Sequence, residues 1–129
     1  MLRGMNFISL AAVALALAVM LGAFGAHALR GRLDAYSMGV WEKAVFYHFI
    51  HALGMLLVSV MPKAGLLARP AASWICLLLA AGLVLFSGSL YLLAATGERA
   101  LGAITPVGGV AFIAAWLLLA WTVLRRASF

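Results

Sequence analysis

Side chains able to do chemistry are scarce in this chain. They are three histidines, two serines, a tyrosine and a threonine: His27, His48, His51, Ser87, Ser89, Tyr91 and Thr105. An imidazole can bind a metal ion or move a proton, whereas hydroxyl groups chiefly donate and accept hydrogen bonds. These seven residues, called the polar cluster below, are the candidate functional site.

His48 and His51 are three residues apart and therefore share one face of a helix. Four interpretations are open. In the favoured one, neutral histidines hydrogen-bond across helices to the serines, the tyrosine or a backbone carbonyl, each bond stabilising a membrane bundle by roughly 0.6–2 kcal/mol. In the second, the cluster is a pocket for a lipid or quinone headgroup. In the third, His27, His48 and His51 bind a metal ion or haem, although this spacing without acidic or cysteine ligands is a loose pattern. The fourth is a proton relay.

Enzymatic signatures are missing from the sequence. It contains no G-x-S-x-G, H-E-x-x-H or P-loop motif. The three acidic residues, Asp34, Glu42 and Glu98, lie near the ends of apolar runs. A serine–histidine hydrolase would therefore lack an acid to orient its base. We therefore expect that the protein is not an enzyme and that it has no catalytic residue, no metal and no cofactor.

The elements that position these residues follow from the composition. Of the 129 residues, 67% are hydrophobic and 9% are charged, and the mean hydropathy is +1.18. Soluble domains carry roughly 25% charged residues. The chain is therefore an integral membrane protein, and four apolar stretches of about 20 residues predict four spans. We place them at about 5–29, 41–61, 71–95 and 105–124 in a single domain.

The fold class expected is all-α, an antiparallel up-and-down four-helix transmembrane bundle, because the connections are short. The first apolar run resembles a secretory signal, but its core is longer than the 7–15 residues typical of one. The single cysteine, Cys76, lies inside an apolar run, so no internal disulfide is possible.

The polar cluster has a definite depth in such a bundle. His48 and His51 lie roughly 10 and 15 Å from Trp41 at about 1.5 Å per residue. The other cluster residues lie near the same ends of their spans. All seven therefore fall in one half of the membrane, the half away from the termini, which we call the distal half. We expect His27, His51, Ser87, Tyr91 and Thr105 to be mutually close there.

Basic residues lie at the ends of the spans, which is typical of charges in lipid headgroups rather than of a nucleic-acid surface. The net charge of +6 therefore does not predict nucleic-acid binding. The side with the termini has five Lys or Arg residues and the other side has four: Arg3, Lys63, Arg69, Arg125 and Arg126 against Arg30, Arg32, Lys43 and Arg99. This small excess favours cytoplasmic termini.

Local signals mark the ends of the helices. Asp34 or Ser37 is the candidate N-cap of the second helix. Thr105 is the candidate N-cap of the fourth, with proline following at the first helical position. Three tryptophans near helix ends are interpreted as interfacial anchors: Trp41, Trp74 and Trp121.

Small residues indicate where helices approach closely. Ala14, Ala18, Gly22 and Ala26 recur every four residues in the first span, with Gly25 beside them. Such small-xxx-small faces let backbones approach each other in lipid. Similar positions occur in the third and fourth spans at Gly82, Gly88, Gly108 and Gly109. We interpret these as packing residues, with an oligomer interface as the alternative.

Four stretches together resemble a known family. "LGAFGAHAL" (21–29), "YHFIHAL" (47–53), "LFSGSLYLLA" (85–94) and "ITPVGG" (104–109) resemble the domain-of-unknown-function 423 family. Its members are small bacterial inner-membrane proteins with four predicted spans and mitochondrial relatives. The resemblance implies a four-helix protein of the bacterial inner membrane and supplies no activity. The family's motif blocks cover most of the polar cluster, with His48 between better-matched positions.

The sequence therefore predicts a non-enzymatic membrane protein, acting as an accessory or scaffold subunit of a membrane assembly. The partners expected are membrane lipids and a membrane-protein partner or further copies of the chain, and no nucleic acid. The alternative is a binding protein whose polar pocket in the distal half holds a lipid, a quinone or a metal or haem centre.

Overall fold

The computed structural model describes residues 6–128. Within them, four helical segments are long and apolar enough to cross a membrane: span 1, Phe7–Leu29; span 2, Ala35–Val60; span 3, Arg69–Thr96; and span 4, Arg99–Ala127. The component helices are α1 (Phe7–Phe24), a first π-helical turn (Gly25–Leu29), α2 (Ala35–Val60), α3 (Arg69–Gly82), a second π-helical turn (Leu83–Gly88), α4 (Ser89–Thr96), a 3₁₀ helix (Arg99–Ala103) and α5 (Thr105–Ala127).

Span 2 begins at Ala35, earlier than the predicted position 41. Asp34 is its N-cap, and its carboxylate Oδ1 accepts a hydrogen bond from the main-chain N–H of Ser37 at 2.7 Å. This bond satisfies one of the amides that a helix start leaves without a partner. Of the two candidate caps, Asp34 is therefore the one used.

The predicted N-cap of span 4 is wrong. A 3₁₀ helix, Arg99–Ala103, precedes α5, and the N-cap position is occupied by Ile104 in a helical conformation. Thr105 is already inside the helix, and its hydroxyl group bonds to another span. Pro106 does lie in the first turn, where its missing N–H costs nothing. The helix thus begins by continuing a tighter helix rather than at a side-chain cap.

Consecutive spans pack against each other in antiparallel order. α1 contacts α2, α2 contacts α3 and α4, and α5 contacts α3 and the second π-helical turn. The core is formed by apolar side chains that are fully buried, the largest of which are Met55, Ile75 and Leu79. The predicted antiparallel up-and-down four-helix bundle is confirmed.

The packing face of span 1 differs from the predicted spacing of four. Ala18 and Gly25 are buried, Ala14 and Gly22 are half-buried, and Ala26 is exposed. A step of four residues advances about 40° beyond one helical turn, so three such steps leave the original face. The face instead continues from Ala18 through Gly22 to Gly25.

Glycines of spans 3 and 4 differ in what surrounds them. A Cβ atom at Gly108 would overlap the main chain of Phe86, so the backbones of α5 and the second π-helical turn touch there. At Gly82 a Cβ atom would overlap the ring of Phe112. At Gly109 it would meet the Phe86 ring at an ordinary 3.7 Å. At Gly88 the nearest atom is a main-chain oxygen of its own span, so this glycine does not serve close helix contact.

Candidate functional site

His48 links span 2 to span 3. Its Nδ1 atom and the hydroxyl group of Tyr91 form a hydrogen bond of 2.9 Å, and the two rings meet edge to face. The main chain of Ala14 in span 1 also lies close to the imidazole. His48 is buried, and it is therefore placed where three spans converge.

His51 turns toward span 4 instead of span 3. Its Nδ1–H donates to the carbonyl of Tyr47 at 2.9 Å, one helical turn earlier in the same helix. Its ring stacks on Phe112 with centroids 3.6 Å apart and lies beside Trp116. Because a carbonyl only accepts, Nδ1 carries the proton. His51 does bond to a backbone carbonyl, one of the expected partners, but within its own helix and not across to another. Three residues separate it from His48, so its side chain points about 60° away from that of His48 and meets Phe112.

Ser87 and Ser89 form hydrogen bonds with different neighbouring spans. The hydroxyl group of Ser87 donates to the carbonyl of Ala44 in span 2 at 2.9 Å. Ser89 donates to the carbonyl of Phe86 at 2.9 Å and pairs with the hydroxyl of Thr105 in span 4 at 2.6 Å. A step of two residues in a helix rotates the side chain by about 200°, so the two side chains point in nearly opposite directions. Span 3, lying between spans 2 and 4, therefore offers one serine to each of them.

His27 is not part of this network. Its side chain is exposed in the first π-helical turn, whereas His48 and His51 are buried. Within residues 6–128 no group of three or more His, Cys, Asp or Glu side chains is placed to hold a metal ion. The three-histidine metal or haem arrangement is therefore not assembled, because the three rings point to different surroundings.

Trp41 is a member of the network that the sequence interpretation missed. It was interpreted as an interfacial anchor, but it is 6% exposed, and its indole N–H donates to the carbonyl of Leu21 in span 1 at 3.0 Å. A Cβ atom at Gly25 would overlap the indole ring. The indole ring also meets the ring of Tyr91 edge to face, with centroids 4.8 Å apart. The signal in the sequence was Gly25, the small residue that makes room for an indole.

The other two tryptophans interpreted as anchors differ from Trp41. Trp74 and Trp121 are 58% and 59% exposed, and the Arg125 guanidinium lies over the Trp121 ring. Exposed rings near helix ends suit the interface between lipid and water. The anchor interpretation therefore fits these two residues and fails for Trp41.

Taken together, these bonds form a belt that joins all four spans through span 2 and span 3. Among the described residues, every fully buried side-chain nitrogen or oxygen has a hydrogen-bond partner. Ser87 is bonded to a main-chain carbonyl and not to a histidine, so no serine–histidine pair of a hydrolase is formed. The observed bonds of Trp41, His48, Ser87 and Ser89 thus connect each span to a neighbouring one.

Comparison with known proteins agrees with the assignment to a membrane. A UPF0382 membrane protein of Staphylococcus haemolyticus is 49% identical over 113 residues, covering 88% of this chain and 90% of the relative. The UPF0382 membrane protein YwdK of Bacillus subtilis is 48% identical over 115 residues, covering 88% and 91%. A UPF0382 membrane protein of Staphylococcus epidermidis is 47% identical over 122 residues, covering 95% and 98%. No solved structure matches the chain significantly.

The match to a family profile covers the stretches that carry the site. Residues 21–109 match the family described as "Protein of unknown function (DUF423)". This range begins in span 1 before the first π-helical turn and ends in the first turns of α5. It therefore includes every residue of the polar cluster and also Trp41. The protein is a membrane protein, and the chain belongs to the DUF423 family.

Proposed function

We propose that this protein is a non-enzymatic accessory or scaffold subunit of a larger membrane assembly. The observation that carries the proposal is the internal pairing of the buried polar side chains. His48 is bonded to Tyr91, Ser87 to a carbonyl of span 2, and Ser89 to Thr105. Buried polar groups in a membrane are costly, so they are retained either for chemistry or for holding helices together. Here the bonds of His48 and Ser87, and the bond between Ser89 and Thr105, are directed at neighbouring helices, whereas His51 bonds within its own helix.

The outer surface supports the same proposal. In spans 1 and 4, only 17% of the most apolar 18-residue stretch is buried inside the protein. Large apolar side chains on all four spans are exposed, for example Val13, Leu57, Val84 and Val110. The connections between spans are short, so little of the chain lies outside the membrane. A protein of this shape offers its helix faces, rather than a soluble domain, to lipids, to a membrane-protein partner or to further copies of itself.

The proposal includes a location and an orientation. We place the protein in the bacterial inner membrane with both termini in the cytoplasm. Four spans bring the two ends of the chain to the same side of the membrane. That side carries five of the nine Lys and Arg residues, which is the direction of the positive-inside rule.

Photo-crosslinking in the native membrane tests the accessory role. A crosslinking amino acid is placed at Val13, Leu57, Val84 or Val110, one exposed position on each span. The expected result is a crosslinked membrane protein, identified by mass spectrometry, at one or two of these positions and at near-stoichiometric yield. An unrelated four-span protein expressed at the same level is the control. Crosslinks to lipid alone at all four positions, or the same products as the control, would overturn the proposal.

A further inference from the structure

A groove of about 310 Å³ runs between span 1 and span 2 in the distal half. On the side of span 1 it is lined by Gly22, Gly25 and Ala26, which have little or no side chain. A Cβ atom at Gly22 would already approach Val45 of span 2 to 3.3 Å, so the two helices are close at the floor of the groove. The groove exists because small residues replace the large ones that would fill it.

The wall on the side of span 2 is apolar and open to the membrane. Phe46 and Phe49 line it and are 60% and 37% exposed. Trp41 closes the inner side, and its indole N–H is already bonded to Leu21. An occupant of this part therefore meets hydrocarbon and aromatic surface, without a free hydrogen-bond donor from the indole.

The end of the groove near the connection between spans 1 and 2 carries opposite charges on its two walls. Arg30 follows span 1, Glu42 lies in the first turns of span 2, and both side chains are exposed. From Glu42 to Phe49 the helix rises about 10 Å at about 1.5 Å per residue. This length fits the upper part of one acyl chain beneath a headgroup, since half of the hydrocarbon core is about 15 Å thick.

From this geometry we infer that the groove binds a phospholipid with a primary-ammonium headgroup, of the phosphatidylethanolamine type. Arg30 bonds to the phosphate group, Glu42 accepts from the ammonium group, and one acyl chain lies along Phe46 and Phe49. Basic residues between transmembrane helices are suited to phosphate headgroups, and the carboxylate adds the selection for an ammonium. The volume of the groove lies at the lower end of the range of roughly 300–1,000 Å³ found for small-molecule sites, which suits a single acyl chain. The inference does not depend on the accessory role.

Lipid binding to the delipidated full-length protein, measured by native mass spectrometry, tests this site. The probes are phosphatidylethanolamine, phosphatidylcholine and phosphatidylglycerol with the same acyl chains. We expect one phosphatidylethanolamine to be retained at least tenfold more tightly than either of the others. Water-soluble glycerophosphoethanolamine should not compete, because it lacks the acyl chain. Equal retention of the three lipids, or effective competition by the soluble headgroup, would overturn the inference.

Matched variants assign the binding to the groove. Ala26→Leu fills it, whereas Ala23→Leu adds the same bulk at an exposed position of the same span outside it. We expect the first variant to lose phosphatidylethanolamine at least tenfold and the second to bind within twofold of the unmodified protein. Circular dichroism and thermal unfolding establish that both are folded. If two folded variants bind the lipid equally well, the groove is not the site.

Charge variants assign the headgroup contacts. Glu42→Gln should bind phosphatidylethanolamine and phosphatidylcholine equally, and Arg30→Gln should weaken both lipids. Arg32→Gln is the matched control, because Arg32 is exposed and does not line the groove. If Arg32→Gln weakens binding as much as Arg30→Gln, the attraction is general to the basic connection, and the proposed phosphate contact is wrong.

Discussion

At the scale of single residues, the two buried histidines have different roles. His48 bonds across to Tyr91, whereas His51 bonds within its own helix and stacks its ring on Phe112. An aromatic pair stabilises the folded state by roughly 0.5–1.5 kcal/mol in addition to the contribution of the surface area that it buries. The contribution of His51 therefore comes chiefly from the shape and packing of its ring, and that of His48 from its hydrogen bond.

Replacing His51 separates ring packing from imidazole chemistry. His51→Phe keeps a ring on Phe112 and should lower the free energy of unfolding by less than about 1.5 kcal/mol. His51→Ala leaves a void and should cost about 2–5 kcal/mol. His27→Ala, at an exposed position, is the control and should stay within about 0.5 kcal/mol. Reversible unfolding of the variants in one detergent gives the measurement. A phenylalanine variant as unstable as the alanine variant would show that the imidazole nitrogens are required.

At the scale of elements, contact between α5 and the second π-helical turn depends on Gly108. Its neighbour there is the main chain of Phe86, which cannot rotate away as a side chain can. Glycine costs a helix about 1 kcal/mol relative to alanine, so its presence in α5 has to be offset by this close approach. Ser89 and Thr105 form their hydrogen bond one turn away, at the same junction.

Alanine at the two adjacent glycines should have opposite effects. Gly108→Ala should destabilise the protein by about 1–3 kcal/mol, because the added methyl group forces the helices apart. Gly109→Ala places the methyl group at ordinary contact with the Phe86 ring, and should be neutral or stabilising by up to about 1 kcal/mol. Thermal unfolding of both variants under identical conditions tests the difference. Equal losses would show that helix propensity, rather than backbone contact, sets the effect.

The cap of span 2 makes a pH-dependent contribution. The hydrogen bond from the main-chain N–H of Ser37, and then one from its side chain, hold the pKa of Asp34 below the ordinary value of 3.8. The ionised carboxylate therefore stabilises the folded state fully above that value, and the stabilisation is lost as the pH falls through the lower folded-state pKa. We expect Asp34→Asn to unfold at a lower temperature than the unmodified protein at pH 7, and this difference to shrink progressively as the pH falls below about 4. A difference that stays constant down to pH 2 would contradict this.

At the scale of the whole molecule, the arrangement is a bundle with spans 2 and 3 in the middle. In each of these two spans 39% of the most apolar 18-residue stretch is buried, against 17% in spans 1 and 4. The polar belt lies where spans 2 and 3 meet their neighbours in the distal half, while the other half is packed by residues such as Met55 and Leu79. The molecule thus combines an apolar half, held by packing, with a half held by hydrogen bonds.

Cysteine labelling tests the orientation of this bundle. Cys76 is buried and is first replaced by alanine. Single cysteines are then introduced as Ala64→Cys and Glu98→Cys, in exposed connections on opposite sides of the membrane. With cytoplasmic termini, a membrane-impermeant maleimide should label position 98 in intact cells and position 64 only after permeabilisation. The reverse pattern would place the termini outside.

The sequence by itself determined the four spans and their order. The depth expected for His51 was less accurate, because span 2 begins at Ala35 and this residue lies just past the middle of the helix. Lipid demands about 20 apolar residues per helix, and it penalises polar groups so strongly that their positions along the chain are informative. The sequence also identified Asp34 as a candidate cap of span 2, because a cap depends on residues only three apart in the chain. The family was also recognisable, because its motif stretches are specific.

Only the tertiary structure decided which partner each side chain meets. His51 turns to Phe112, Trp41 enters the space over Gly25, and Ala26 faces a groove. These outcomes depend on the rotation of each helix about its axis, which two π-helical turns change within spans 1 and 3. That rotation is set by contacts between different helices, such as Gly108 against Phe86. It cannot be read from the spacing of residues within one helix.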